Sequence, residues 1–249
     1  MSETRNAAEI AVPADPLAGH PATAYLWGHV AGSGDVSDDG IEVVTNDEES
    51  ARVLAAIAGG SVEHETTTRD YAHDTTITRT EDEYTLSIIT RTEDEYTLSI
   101  GGSEGADAES GGAGPLGRNG ALGLPVDGRG NYRFGAFARD DRELLRGLFE
   151  GCGTICFKSS SGTVGVSFVH EERELLELIR ELIADCPVDA STGDLGETSS
   201  GGYWFGVDDA AAPDFGAWLY ESCEETGLFA PSRRRKLEKS LEQAEAYDE

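Results

Sequence analysis

Lysine is nearly missing from this chain: Lys158, Lys236 and Lys239 are the only three in 249 residues, beside sixteen arginines. Cations of both kinds number 19 against 48 acids, and the formal net charge is −29. A chain of this kind has no broad basic surface with which to cover a nucleic acid or an anionic membrane. Long apolar runs are missing too, and none approaches the roughly 18 residues of a membrane-spanning helix. The segment from Met1 to Ile10 is polar and lacks the apolar stretch of an export signal. These absences lead to the expectation of a cytoplasmic protein with no membrane partner. Cysteine is scarce, with Cys152, Cys156, Cys186 and Cys223 alone, and in a cytosolic protein all four are expected as reduced thiols.

What the chain does have is acid spread along its whole length rather than gathered in a tail. Such a surface holds water and hydrated cations, stays dispersed in molar salt, and repels itself when salt is low. This is the composition of a protein from a halophilic organism. Apolar residues make up 38%, and Trp27, Phe134, Phe149, Trp204 and Trp218 place aromatics in both halves. The length suits one large domain or two of about 100 residues.

Turn and cap signals divide the chain. Residues 1–19 read as a disordered leader and 20–100 as a first half. Residues 101–135, whose first part is rich in Gly, Ser and Ala, read as a linker, and 136–249 as a second half ending in a helix. In the first half a helix starts near Pro21–Thr23 and stops at Gly32 or Gly34. A strand follows over Ile41–Thr45, then a helix over Glu48–Ala58 capped by Asn46 or Asp47, then strand-like sequence over Ser61–Thr68. Residues Ile77–Ile88 are repeated identically by Ile89–Ile100, a local duplication that could form an extra hairpin. In the second half a helix over Arg142–Glu150, capped by Asp140 or Asp141, precedes strands Thr154–Ser159 and Thr163–His170. A helix over Glu171–Ala184, a strand over Gly202–Val207, and helices over Asp214–Gly227 and Pro231–Tyr247 complete it.

Two stretches carry the chemistry. Leu145-Arg146-Gly147-Leu148-Phe149-Glu150-Gly151-Cys152-Gly153 opens the second half, and Leu26-Trp27-Gly28-His29-Val30-Ala31-Gly32-Ser33-Gly34 opens the first. Both contain Gly-x-x-x-Gly, Gly28 with Gly32 and Gly147 with Gly151. Glycines four apart share one helix face, so two such helices can cross with their backbones nearly touching. The paired stretches resemble the LAGLIDADG motif of homing endonucleases, about 119 positions apart, over roughly residues 22–100 and 140–228. The resemblance implies an α+β fold of two tandem αββαββα halves arranged as a pseudo-dimer.

In that family the resemblance also implies a carboxylate at the eighth motif position, holding a divalent cation over the scissile phosphate. Here those positions are Ser33 and Cys152, and neither replaces a carboxylate as a magnesium ligand. Asp35 lies two residues beyond one and Glu150 two residues before the other. The expectation is therefore a degenerate site with no catalytic residue and no enzyme activity. Similar regulators that keep this fold carry a helix-turn-helix, and none is legible here.

Other constellations are weaker. Cys152-x3-Cys156 does not have zinc-finger spacing, and the cysteines read as core thiols. The five histidines are scattered. No cofactor is expected, and no P-loop or dinucleotide signature is present. Arg233-Arg234-Arg235-Lys236 is the one basic cluster and the candidate nucleic-acid contact. At a helix start it opposes the dipole, so an acidic partner is expected beside it. Screening in molar salt, with a Debye length of about 3 Å, leaves shape and hydrogen bonds as the means of binding. The whole chain, through Tyr71-Ala72-His73-Asp74-Thr75, residues 156–170 and residues 199–209, also resembles a haloarchaeal family labelled as cobalamin biosynthesis proteins. The expected function is a non-catalytic accessory or regulatory protein linked to cobalamin (vitamin B12) synthesis. The alternative is a nucleic-acid-binding regulator derived from a homing endonuclease, and a protein partner is compatible with both.

Overall fold

The structure is a computed structural model and describes residues 10–15, 17–36, 40–45, 47–58, 61–73, 87–101, 124 and 132–247. The first half runs α1 (Pro21–Ser33), β1 (Gly34–Val36), β2 (Gly40–Thr45), α2 (Glu48–Ala58), β3 (Ser61–His73) and β4 (Ser87–Gly101). The second runs α3 (Asp141–Cys152), β5 (Gly153–Lys158), β6 (Thr163–His170), α4 (Arg173–Ala184), β7 (Gly196–Glu197), β8 (Tyr203–Val207) and α5 (Ala212–Leu219). It ends with α6 (Cys223–Thr226) and α7 (Pro231–Glu245). Each half folds into an antiparallel four-stranded sheet with the same strand order, β1-β2-β4-β3 and β5-β6-β8-β7. The fold is α+β, two tandem halves of the αββαββ pattern, and the second is completed by its closing helices.

Local chemistry sets the element ends. Pro21 opens α1, and the His20 side chain accepts from the Ala22 N–H at 3.1 Å. Asp47 caps α2 by accepting from the Glu49 and Ser50 amides. Gly162, at φ 70°, closes the β5–β6 turn. In α4 the buried residues Leu175, Leu176, Ile179 and Ile183 recur at helical spacing and face the sheet. Beneath them Phe168 stacks on Phe205, centroids 5.1 Å apart, and meets Phe149 edge-on at 5.5 Å.

Several expectations are corrected. The leader expected over 1–19 is not a free tail from residue 10 on, because Ile10 and Leu17 pack partly against the core; residues 1–9 lie outside the described residues. The linker expected over 101–135 contributes to the core through the buried Leu124 and Phe134. Asp140 precedes α3 without a side-chain capping bond. The second copy of the repeat pairs as β4 with β2 and β3, and most of the first copy lies outside the described residues. The single helix expected over Asp214–Gly227 is two, separated where Ser222 takes φ 54°. An apolar stripe that runs on through the break hides it from sequence.

Candidate functional site

Helix α1 is buried from Ala22 to Gly32, so it is packed on every side, as a helix shared by two halves must be. It crosses α3, and the glycines define the contact. A Cβ on Gly28 would stand 2.3 Å from the Leu144 carbonyl oxygen, and one on Gly147 would stand 2.2 Å from that of Tyr25. Further along, Gly32 meets Leu148 and Cys152 while Gly151 meets His29 and Gly32, all at 3.0–3.1 Å by the same measure. The contacts are reciprocal, as a twofold relation between the halves requires.

The helix ends emerge together from this crossing. Ser33 is the last residue of α1, and its hydroxyl donates back to the His29 carbonyl at 3.3 Å. Cys152 is the last residue of α3, and its thiol donates to the Leu148 carbonyl, also at 3.3 Å. Burial pushes the Cys152 thiol up to about 12, although Arg233 pulls the other way. A soft thiol is also a poor match for a hard cation such as magnesium, which takes oxygen ligands. The tips thus carry one hydroxyl and one neutral thiol, each turned back to its own helix.

Glu150, the nearest motif acid, faces inward. Its Oε2 accepts from the Tyr25 hydroxyl at 2.5 Å and its Oε1 from the Ala230 amide at 2.8 Å. Burial pushes it up to about 7, against the opposing pull of those hydrogen bonds and of Arg146. Arg146 is fully buried; its Nε donates to the Leu219 carbonyl at 2.7 Å and its Nη1 to that of Leu228 at 3.0 Å. This guanidinium ties α3 to the α5–α7 segment. It was invisible in the sequence because its acceptors are backbone carbonyls far along the chain. His29, 2% exposed, has no hydrogen-bond partner on either ring nitrogen among the described residues. Burial first, and Arg233 second, lower it to about 4, so it is neutral at pH 7.

The basic cluster does not act as one patch. Arg234 pairs with Glu224 at 2.5 Å and Glu238 at 3.0 Å and lies over the Phe229 ring at 5.6 Å. Arg235 and Lys236 are exposed. At this helix start lies Asp47, whose Oδ2 accepts from the Ser232 amide at 2.8 Å. One carboxylate therefore caps α2 in the first half and α7 in the second.

The outward face of the second sheet carries Thr154, Cys156, Lys158, Ser167, Val169 and Trp204, as strand alternation and register place them. Lys158 and Cys156 lie across Gly165, and the Trp204 indole lies over Gly196. Val169 and Trp204 are in register and each 45% exposed. None of these strand residues is acidic, but the Asp209 carboxylate lies against the face, bonding Lys158 at 2.5 Å and accepting from Thr163 at 2.9 Å. Cys156, expected in the core, is exposed on this face, because the pleat turns Ile155 inward instead. All four cysteines are free. Among the described residues no group of three or more His, Cys, Asp or Glu could hold a metal ion, and no helix is long and apolar enough to cross a membrane.

Residues 1–247 match the LAGLIDADG family described as "Putative archaeal homing endonuclease". No curated protein matches the chain. Among solved structures, full-length DUF199/WhiA from Thermatoga maritima is similar at 14% identity and TM-score 0.46, over 96% of this chain and 63% of that one. This chain thus spans under two thirds of that protein. I-DmoI in complex with DNA and Ca is similar at 13% identity and TM-score 0.44, over 88% of this chain and 97% of that one. Its complex with DNA and Mn gives 12% identity and TM-score 0.42, over 84% and 99%.

Proposed function

The chain belongs to the LAGLIDADG family of archaeal homing endonucleases, and from that membership we propose that it binds double-stranded nucleic acid without cutting it. The observation that carries this reading is the chemistry of the crossing tips. Phosphodiester cleavage of this kind needs carboxylates there to hold a divalent cation, and Ser33 and Cys152 supply a hydroxyl and a protonated thiol. The outward face of the second sheet, whose strands carry no acid and where the one bonded carboxylate, Asp209, is tied to Lys158 and Thr163, supports the binding half of the reading. A duplex approaching a −29 chain is repelled less by a surface whose carboxylate is paired with a lysine, and Trp204 with Val169 offers it apolar contact.

The acid-rich, lysine-poor surface suits molar salt, where screening removes most of the repulsion between protein and duplex. The test is incubation of the full chain with plasmid and genomic fragments in molar KCl with magnesium. The expected outcome is retention of duplex on filters with no nicking; site-specific nicks would overturn the non-cleaving reading, and no retention would overturn the binding one. An accessory role in cobalamin synthesis stands second, supported by the whole-chain likeness alone. Normal growth of a deletion strain without vitamin B12 would remove it.

A further inference from the structure

Residues 77–88 and 89–100 are identical, and the first sheet draws its β4 almost wholly from the second of them. That strand is central, paired with β2 on one side and β3 on the other. Strand register is ordinarily pinned because a slip carries apolar residues to the wrong face or sets the wrong neighbours across from each other. A slip of twelve residues does neither here. Twelve is even, so alternation is kept, and the residues brought in are the same ones.

The pairing can be followed position by position. On β3, every partner from Ser61↔Ser99 to Tyr71↔Ile89 would be replaced by an identical residue, Ser87 through Ile77. Only Ala72 and His73, at the far end of the ribbon, would lose Ile88 and Ser87. On β2, every partner from Ile41↔Ile100 to Thr45↔Tyr96 would likewise be replaced in kind, and Gly40 alone would meet Ile89 instead of Gly101. Leu98 stands across from both Val43 and Val62, and Leu86 would take that central position. The connections allow the exchange as well. Residues 72–76 would remain to turn the chain from β3 into β4, a usual hairpin length with Asp74 at its middle. The twelve residues released would lengthen the connection toward α3, and loop closure depends only weakly on length.

We propose that the β4 position is a slot that either copy of the repeat can fill, so that the first sheet has two registers twelve residues apart. In one register the spare copy precedes the strand, between β3 and β4; in the other it follows the strand, on the way to α3. The device moves twelve residues from one side of the sheet's central strand to the other without changing the sheet. Exchange requires β4 to leave β2 and β3 together, so the register is chosen as the sheet forms. This inference goes beyond the duplex-binding reading and does not depend on it.

The experiment places proline in each copy of the full chain, since proline removes a ladder hydrogen bond and is not tolerated in a central strand. Leu86→Pro, Leu98→Pro and the double variant are compared with wild type by denaturant midpoint in molar KCl. Each single variant keeps one intact copy and should stay folded, with a small shift at most. The double variant has none and should fall much further than the two single shifts combined, a non-additivity that marks two sites standing in for each other. Leu98→Pro falling as far as the double variant overturns the proposal, and so does a double variant as stable as wild type. A chain lacking residues 89–100 is the second test, and because the copies are identical it is the same protein as one lacking 77–88. It can form β4 only behind the short turn, and it should unfold cooperatively at a midpoint close to that of wild type. Failure of this chain to fold overturns the second register.

Discussion

The two sheets share strand order and antiparallel register but turn opposite chemistry outward. On the first, Asp35 sits across from Glu42 in register, and Glu63 is exposed on the same face. On the second, the equivalent outward positions of β5, β6 and β8 carry Thr154, Cys156, Lys158, Ser167, Val169 and Trp204. Alternation decides which residues point out, and leaves free what they are. In a chain with 48 acids, a sheet face whose strands carry none and where the one bonded carboxylate, Asp209, is paired with Lys158 offers a polyanion less repulsion than the facing Asp35 and Glu42 of the first sheet. The halves thus match in backbone and differ in the outward residues that the structure describes: Asp35, Glu42 and Glu63 on the first, and uncharged residues with Lys158 on the second.

That division presupposes that the halves are fixed to each other, and the largest expected effect comes from breaking the shared crossing. Gly147→Ala drives a methyl to 2.2 Å from the Tyr25 carbonyl oxygen, and backbone cannot yield as a flexible side chain can. We expect a loss of about 3 kcal/mol, the upper end of overpacking costs, read as a drop in the denaturant midpoint in molar KCl. Gly135→Ala, with nothing within 4 Å of the added carbon, should stay near wild type. Equal midpoints for the two variants would mean that this contact does not join the halves.

The crossing was partly legible in sequence and partly not, for physical reasons. Gly28, Gly32, Gly147 and Gly151 stand out because four-residue spacing lies on one helix face. Helix and strand ends at Pro21, Asp47 and Gly162 follow from local bonding that a short window contains. Arg146 could not be read, because its acceptors, Leu219 and Leu228, lie 73 and 82 residues away. The inward turn of Glu150 depends on Tyr25, 125 residues away. Cys156 was misplaced because Ile155, Cys156 and Phe157 are all apolar, so alternation gives no sign of which faces out. The break at Ser222 is a single left-handed residue inside an unbroken apolar pattern.

Next in size is the buried acid at the crossing. Glu150 is raised from 4.5 to about 7, so between those values the folded chain holds a proton that the unfolded chain has released. Its contribution to stability is then full below about pH 4.5, falls as pH rises through 7, and is flat above. A shift of this size corresponds to on the order of 3 kcal/mol. His29 works with the opposite sign: lowered to about 4, it costs stability as pH falls from 6.5 toward 4. Glu150→Gln should remove the decline between pH 4.5 and 7 and leave the acid-side loss due to His29. A variant whose stability tracks wild type at each pH would show that Glu150 is not titrating in place.

The comparison of sheets is sharpened by salt. Like charges directly across two strands repel, and Asp35 and Glu42 are so placed on the first sheet only. Glu42→Gln should therefore stabilise the protein by about 0.5 kcal/mol at low ionic strength, and the gain should vanish in molar KCl as the screening length shrinks to about 3 Å. Ser167→Gln, on the uncharged face, should show no such salt dependence. Parallel responses of the two variants would erase the electrostatic difference between the faces.

The smallest effect concerns the one cation on the open face. Lys158 is held at 2.5 Å by Asp209, which also accepts from Thr163 at 2.9 Å, and the Asp209 carboxyl is lowered first of all by its bond to Lys158. Both partners are well exposed, so the pair adds little to stability, about 0.5 kcal/mol or less. Its larger consequence is to cancel the sole positive charge on the surface assigned to the duplex. Asp209→Asn keeps a side chain able to bond Thr163 and frees the ammonium. At moderate salt, duplex affinity should then rise two- to threefold, about 0.5 kcal/mol, with a steeper salt slope, while Asp35→Asn on the first sheet leaves affinity within about 1.5-fold. Filter binding across a salt series measures both. An equal rise for the two substitutions would mean that the duplex responds only to total charge, and that the second sheet has no special part in binding.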